Sequence, residues 1–562
     1  MFRVTLNLSN LIIAFSCIFT VFCQFLIQRS QPESLYDATD PQVELNSSTF
    51  NRTVYGQNKS FLIEFYSSYC GHCIRFAPTW RQLLYSIQNW NHTVQPGAVN
   101  CAVQFNTDVC RRFVDFGFPT IKFFDSNFTG NASEVAEYDR YDSGGSVENI
   151  RSGVARFVAS RPRALADPDS LDFEYIPLLQ TLYDIYQLEA SRNCKYLAII
   201  FQYSEPAYVG EQIILDYAPF KQLCVKLASP SHYLARTYNL TNVPGLLLYN
   251  VSEDEPIFAS KFLLTRDDII ELLNDEFNLN FTIGRLPVES NDTVSSKEID
   301  TEQPSLHYQD LLSALTQMFF VEIPVQKQIS PAEFDAIRQF TQILKEYFPG
   351  NNNTKLFLHG LAESMESFNA STFTISGWLL ITNRLQELTG HPLPTTPRWV
   401  SCQGSRARYR GYSCGLWLLF HTLTVESYKA DSQDENYVPL RVLNAIKAYV
   451  ISLFSCTTCA RNFVFESSNM ETEVVNKNDT ILWLWRVHND VNRRLAGDAT
   501  EDPRHPKVQF PSREDCDDCR TTDLEMDSEN HDNRPVNVVE WDESAVLNYL
   551  ISHYGSISYT KR

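Results

Sequence analysis

Residues 60–80, SFLIEFYSSYCGHCIRFAPTW, constrain the fold more than any other stretch of the chain. The run Phe61–Tyr66 is apolar and aromatic, as a buried strand should be. Cys70-Gly71-His72-Cys73 then sits at a turn opening a helix, which Pro78 bends. Further on, residues 116–124 read FGFPTIKFF, a proline followed by another strand. A CxxC at a helix N-terminus gains from the helix dipole and free N–H groups, which stabilise a thiolate. Cys70 is expected to be the exposed cysteine that attacks or is attacked, and Cys73, one turn in, the one that resolves the mixed disulfide. His72 between them favours the reduced pair electrostatically, which makes the disulfide a stronger oxidant. A purely structural bridge is the alternative. A disulfide across two residues is strained and therefore labile, which speaks against it.

Strand, CxxC, helix and later Pro-strand resemble a thioredoxin domain of the protein disulfide isomerase type over residues 36–160. The resemblance implies a cis peptide before Pro119, with that proline lying against the dithiol. It also implies that Glu64 is the buried acid that helps protons leave the second cysteine. Tyr69 stands where the family usually has Trp. Residues 195–250 repeat the pattern with KYLAIIFQY and NVPGLLLYN around Pro244, but no CxxC lies between them. A second thioredoxin-like domain without an active dithiol is expected over 165–278, serving as a spacer or packing unit.

Residues 284–304 are polar and read as a linker. HYQDLLSALTQMFF, PAEFDAIRQFTQILKEYF and TISGWLLITNRLQELTG follow, with apolar residues recurring at three and four. They predict a helical region over 305–395 with no visible chemistry. From 397 to 520 the chain is again aromatic and helical. GLWLLFHTLTVESY, PLRVLNAIKAYVISLF and TILWLWRVHNDVNRRLAG predict three helices, and Cys456 begins a fourth, short one. Residues 521–562 read as an acidic, loose segment (521–538) followed by a terminal helix, WDESAVLNYLISHY.

The pair Cys456/Cys459 has three possible meanings: zinc ligand, structural bridge or electron carrier. With Cys516/Cys519 it would complete a four-cysteine zinc site, but the 56-residue gap is far longer than ribbon spacing. No metal is expected. The flanks favour electron transfer. Trp417 and His421 lie at i, i+4 on one helical face. Trp485, His488, Asn489 and Asn492 share another face at spacings of three and four. A face mixing Trp, His and Asn suits a flat aromatic ligand with ribose and phosphate groups. Satisfied core aromatics are the plainer alternative for any one of these residues.

These stretches closely resemble the sulfhydryl oxidase domain of the Erv/ALR type, a helical bundle that binds FAD beside a CxxC. The order of domains over about 36–555 is that of the quiescin sulfhydryl oxidase family. The fold class is thus multidomain: two α/β thioredoxin-like domains, a helical region and an all-α FAD bundle. The resemblance implies Cys70, Cys73, Cys456 and Cys459 as catalytic residues. It implies FAD contacts from Arg410, Trp417, His421, Thr458, Asn462, Trp485, His488, Asn489, Asn492, Lys507 and Phe510, with Arg410 and Lys507 meeting phosphate charge. Asn462 stands where the family usually has His, and Phe510 where it usually has Trp. No G-x-G-x-x-G occurs, so a Rossmann flavin site has no support. The implied activity is oxidation of protein dithiols by molecular oxygen, giving hydrogen peroxide. A flavin-free disulfide isomerase and a non-enzymatic secreted scaffold are the other two readings.

The apolar run Leu11–Cys23 is short for a membrane span and fits a signal-peptide core, with 1–23 removed. A signal anchor is the alternative. Thirteen N-x-[ST] sequons follow, among them Asn46, Asn91, Asn239, Asn280 and Asn478. Together they point to an N-glycosylated protein of the ER or Golgi lumen or the extracellular space. No membrane span is expected in the mature chain. Twelve cysteines remain after the signal, an even number suited to an oxidising compartment. Beyond Cys70/Cys73 and Cys456/Cys459, local pairs are Cys101/Cys110, Cys402/Cys414, Cys516/Cys519 and, by elimination, Cys194/Cys224. Acidic neighbours in DCDDC raise thiol pKa, which favours a structural or accessory role for Cys516/Cys519. The net charge of −20 argues against a nucleic-acid or anionic-membrane partner. Reduced protein dithiols and oxygen are the expected partners, and a monomer the expected state.

Overall fold

A computed structural model describes residues 32–556 except 116, 140–144, 162–170, 191–193, 204–207, 241, 279–305, 431–436 and 527–535. The expected signal sequence 1–23 and linker 284–304 lie outside the described residues.

The first sheet contains β1 (Val43–Leu45), β2 (Ser60–Tyr66), β3 (Val94–Asn100), β4 (Thr120–Phe124) and β5 (Ala136–Glu137), in the order β1-β3-β2-β4-β5. β1, β3 and β2 run parallel, whereas β4 and β5 are antiparallel to their neighbours. β2 is buried along its whole length, which explains why its run is apolar apart from Ser60 and Glu64. Its C-terminal end delivers the chain to Cys70, the N-cap of the helix Gly71–Ser86. The peptide between Phe118 and Pro119 is cis.

The second sheet contains β6 (Tyr196–Phe201), β7 (Leu223–Ala228), β8 (Gly245–Asn250) and β9 (Phe258–Ala259), in the order β7-β6-β8-β9. Its pairing directions match those of the first sheet. A parallel bridge from Tyr175 to Leu227 stands where the first sheet has its outer parallel strand. The peptide between Val243 and Pro244 is also cis. The two modules are tied through a buried ionic knot. Asp216, on the helix Val209–Tyr217, accepts hydrogen bonds from Trp90 Nε1 and Arg266 Nη2, each at 2.7 Å. Arg266 also donates to Ser86 O at 2.9 Å. Its Nε adds a further bond to Asp216 at 2.8 Å, and three donors on one carboxylate offset its burial.

The remainder is largely helical. Pro331–Tyr347 starts with a capping box between Ser330 and Glu333 and a proline in its first turn, both favourable at a helix N-terminus. Lys477–Leu495 starts with a second such box, between Asn476 and Asp479. These helices pack with Tyr308–Gln317, Gly411–Ala430 and Leu440–Ser452 around a core that includes Trp378 and Trp483. Residues around 521–538, expected to be loose, instead contribute to an antiparallel pair, β10 (Arg520–Met526) with β11 (Val536–Trp541). Val536, Val538 and Val539 supply β propensity that the acidic composition conceals. Trp541 anchors the pair, meeting Trp485 edge-on with ring centroids 5.1 Å apart. The terminal helix spans Glu543–Tyr554.

Asp216→Ala is expected to lower stability by about 3 kcal/mol, because it removes the buried carboxylate that accepts two of the Arg266 guanidinium's hydrogen bonds. Denaturant unfolding followed by tryptophan fluorescence measures the loss.

Candidate active site

Cys70 and Cys73 are free thiols, and both are buried. The Sγ of Cys70 lies 3.8 Å from the carbonyl oxygen of Phe118, in the cis-proline loop. The backbone N–H of Ser67 points at Cys73 Sγ at 3.4 Å. The hydrogen bond from Cys73 pulls the Cys70 pKa down, helped by the backbone N–H groups of Cys73 and His72 and opposed by burial. Burial first, then the bond to Cys70 and the charges of Cys70 and Glu64, push Cys73 well up. The pair is therefore split into a ready nucleophile and a protonated reserve. Glu64 is fully buried on β2, and Tyr36 donates a 2.5 Å hydrogen bond to its Oε2. Tyr36 was not singled out in the sequence, because it lies 28 residues from its partner.

Cys70 was expected to be exposed, yet it is only 2% accessible. The segment that carries Cys456 and Cys459 packs against this part of the thioredoxin module. Cys456 is the N-cap of the helix Thr457–Glu466 and is disulfide-bonded to Cys459. Cys456 belongs to the same apolar cluster as Cys70 and Cys73, with Cys459 and Phe454 packed against it. Thr458 Oγ1 and His72 Nδ1 are hydrogen-bonded at 3.1 Å. Gly117 has φ +64°, and any Cβ there would collide with Thr457. Around this contact, Arg75 pairs with Asp498 at 3.3 Å and Lys327 with Asp115 at 2.6 Å. Arg111 donates to Pro324 O at 2.7 Å, and Gln317 to Ala102 O at 3.2 Å.

Beyond Cys459 the aromatic faces of two helices meet. Trp417 and His488 stack with centroids 4.0 Å apart and planes 2° from parallel. His421 Nε2 and His488 Nδ1 share a 3.0 Å hydrogen bond. Tyr554, from the terminal helix, stacks on His421 at 4.6 Å and was not anticipated. Trp485 Nε1 donates to Phe510 O at 2.5 Å. Asn489 grips Phe510 from both sides, donating to its carbonyl at 2.7 Å and accepting from its N–H at 2.8 Å. Asn492 donates to Val508 O at 3.1 Å. These three side chains therefore pin the segment that carries Lys507 and Phe510. Asn462 is half-buried on the Cys456 helix. Arg410 donates to Ser401 O at 2.9 Å beside the Cys402–Cys414 disulfide.

Burial lowers the pKa of Arg410, and burial together with Arg410 lowers that of Lys507. Arg410 Nε and His421 Nδ1 are buried without a hydrogen-bond partner among the described residues. Crowded cations, orphaned ring and guanidinium nitrogens and stacked aromatics fit a ligand with a flat ring system and a pyrophosphate. The remaining disulfides, Cys101–Cys110, Cys194–Cys224 and Cys516–Cys519, close local loops. Cys516 and Cys519 bond to each other, so they do not join Cys456 and Cys459 in one four-cysteine cluster.

A thioredoxin dithiol docked on a CxxC that opens a helical, aromatic-lined bundle defines a thiol oxidase of the flavin-linked class. Three family models match the chain: Thioredoxin over residues 41–141, Flavin adenine dinucleotide (FAD)-dependent sulfhydryl oxidase over 302–405, and Erv1 / Alr family over 414–511. Sulfhydryl oxidase 1 of Gallus gallus is 30% identical, with 93% of this chain and 68% of the relative aligned. Sulfhydryl oxidase 2 of Homo sapiens is 30% identical, with 93% and 73% aligned. A solved sulfhydryl oxidase fragment of human QSOX1 is 33% identical, covering 44% of this chain and 95% of that one with a TM-score of 0.38. The chain belongs to the quiescin sulfhydryl oxidase family. It is an FAD-dependent thiol oxidase that takes protein thiols as substrate and oxygen as acceptor. Among the described residues no helix is long and apolar enough to cross a membrane.

Burial, aided by the charge of His553, pulls the His421 imidazole down to about 3. The unfolded chain takes up this proton near pH 6.5 and the native chain does not. The neutral ring's stabilisation is thus complete above pH 6.5 and is lost as pH falls toward 3. The unfolding free energy from denaturant titration is expected to fall below pH 6.5 by about 1.4 kcal/mol per pH unit for this group. His421→Gln is expected to flatten that part of the profile.

Proposed function

We propose that the four cysteines form a relay in which Cys70/Cys73 collects electrons from substrate and Cys456/Cys459 forwards them. One observation carries this reading: Cys456 sits in the apolar cluster of the thioredoxin dithiol, with His72 bonded to Thr458 at 3.1 Å. In the first half-cycle a substrate thiolate attacks Cys70 of the Cys70–Cys73 disulfide. A second substrate thiol displaces Cys70, so the substrate leaves as a disulfide and both cysteines are reduced. In the second, the Cys70 thiolate attacks Cys456 and the Cys456–Cys459 bond breaks, placing charge on Cys459. Cys73 then attacks Cys70, which frees Cys456. Glu64 accepts the proton that Cys73 must lose. Each exchange moves two electrons and two protons and leaves one disulfide behind.

FAD, when bound, supplies the two-electron acceptor that passes electrons to oxygen. Trp417 and His488 would hold its ring system, His421 would bond its polar edge, and Arg410 and Lys507 would neutralise its phosphates. Two electrons and two protons delivered to oxygen balance as hydrogen peroxide. One chain carries both dithiol stations, so the reading needs no second copy. Residence in the secretory pathway and release to the outside fit the five disulfides described and the exposed sequons Asn91, Asn239 and Asn369.

The purified chain is expected to show flavin absorbance and to consume oxygen with a reduced protein. Cys459→Ser should abolish all thiol oxidation. Cys70→Ser should cost at least about a hundredfold with reduced protein while sparing small dithiols that reach Cys456 directly. Undiminished protein oxidation by Cys70→Ser would refute the relay.

A further inference from the structure

The docked dithiols share a third chemical group that the relay described above does not use. Glu322 ends a π-helical turn, Met318–Glu322, and is 3% accessible. Such turns interrupt regular helix hydrogen bonding and are frequent at functional sites. Its Oε2 accepts the backbone N–H of Ser455 at 2.9 Å, and the Ser455 hydroxyl bonds to the same carboxyl. Ser455 immediately precedes Cys456. Glu322 therefore holds the turn that presents Cys456 to the thioredoxin face.

The groups facing Glu322 are few. From the thioredoxin module comes Cys70, whose thiolate its negative charge opposes. From the helices Gly411–Ala430 and Leu440–Ser452 come Tyr412 and Tyr449, whose hydroxyls share a 2.6 Å hydrogen bond and whose ionisation it likewise opposes. From the turn before Cys456 comes Ser455. The nearby cations are engaged elsewhere, Lys327 with Asp115 and Arg111 with Asp108 and Pro324 O. Burial pushes the Glu322 carboxyl up to about 7, against the two bonds from Ser455. A carboxyl in these surroundings changes charge within the ordinary working range of a lumenal or secreted enzyme.

We infer that Glu322 is a positioning residue and a proton-controlled gate for exchange between the two dithiols: its carboxyl oxygen holds Ser455, and so Cys456, in place in either state, and ionised it opposes the docked Cys70 thiolate. The inference rests on the proposed relay and adds its regulation. The exchange itself stays balanced without Glu322. Cys70 and Cys73 lose two electrons and two protons to become a disulfide, and Cys456 and Cys459 gain them as thiols. The carboxyl alters only the electrostatic cost of bringing a thiolate to the junction.

The test follows anaerobic flavin reduction in the FAD-loaded full chain after mixing with a reduced, unfolded protein, from pH 6 to pH 8. Glu322→Gln keeps an acceptor for Ser455 and removes the charge. It is expected to match wild type near pH 6 and to exceed it about threefold near pH 8, the effect of half a pKa unit on a thiolate. Glu322→Ala, which removes the acceptor, is expected to be slower at every pH. Ser455→Ala deletes one bond that favours the carboxylate, so the wild-type inflection should move to higher pH. It also serves if Glu322→Gln does not fold. A ratio of Glu322→Gln to wild type that stays flat with pH, or an inflection unmoved in Ser455→Ala, overturns the gate. Cys70→Ser run alongside separates the two failures: if it reduces flavin like wild type, the relay has failed and the gate falls with it.

Discussion

Two helix N-termini, each capped by a cysteine, share one apolar cluster in this molecule. Cys70 caps Gly71–Ser86, and Cys456 caps Thr457–Glu466. Each terminus directs unsatisfied N–H groups and a partial positive charge toward a sulfur. Bringing both termini into one cluster favours negative charge on sulfur whichever cap carries it. That matters for a reaction in which the charge passes along a row of sulfurs. The rest of the architecture serves this meeting. β2 aims Cys70, the cis-proline loop forms the wall beside it, and the helical region from Tyr308 onward supplies Gln317, Pro324 and Lys327 as contacts that bring the thioredoxin module into place.

The first module was legible because its signals are local and mutually consistent. A largely apolar strand, a CxxC at a helix start and a Pro-strand unit each predict the same layer. The second module was legible as a weaker copy, and its lost dithiol was visible as a plain absence between KYLAIIFQY and NVPGLLLYN. The Trp, His and Asn faces were legible as helical periodicity. What those faces do was less so: Trp485, Asn489 and Asn492 spend their hydrogen bonds on Val508 and Phe510, a relation that no spacing encodes.

The docking of the two dithiols was hidden for a different reason. Its contacts join residues hundreds of positions apart, such as His72 with Thr458 and Arg75 with Asp498. A single sequence carries no pairing information at that range. Glu322 was hidden for the same reason, since MFFVEIP reads as the end of one more amphipathic helix. The β10–β11 pair was missed because alternation of apolar residues was diluted by acids, and its anchor, Trp541, finds its partner Trp485 only in three dimensions.

Gly117 carries a consequence for traffic through the enzyme. Its bare backbone lets Thr457 lie close beside the cis-proline loop, and under the proposed relay an outside thiol must reach Cys70 past that same loop. Internal delivery and substrate capture thus compete for one berth. Under the proposed relay the molecule would not load and unload at once, and the modules would part and rejoin between the two half-cycles. A substrate abundant enough to keep the cleft filled would slow its own oxidation by holding the two halves of the enzyme apart.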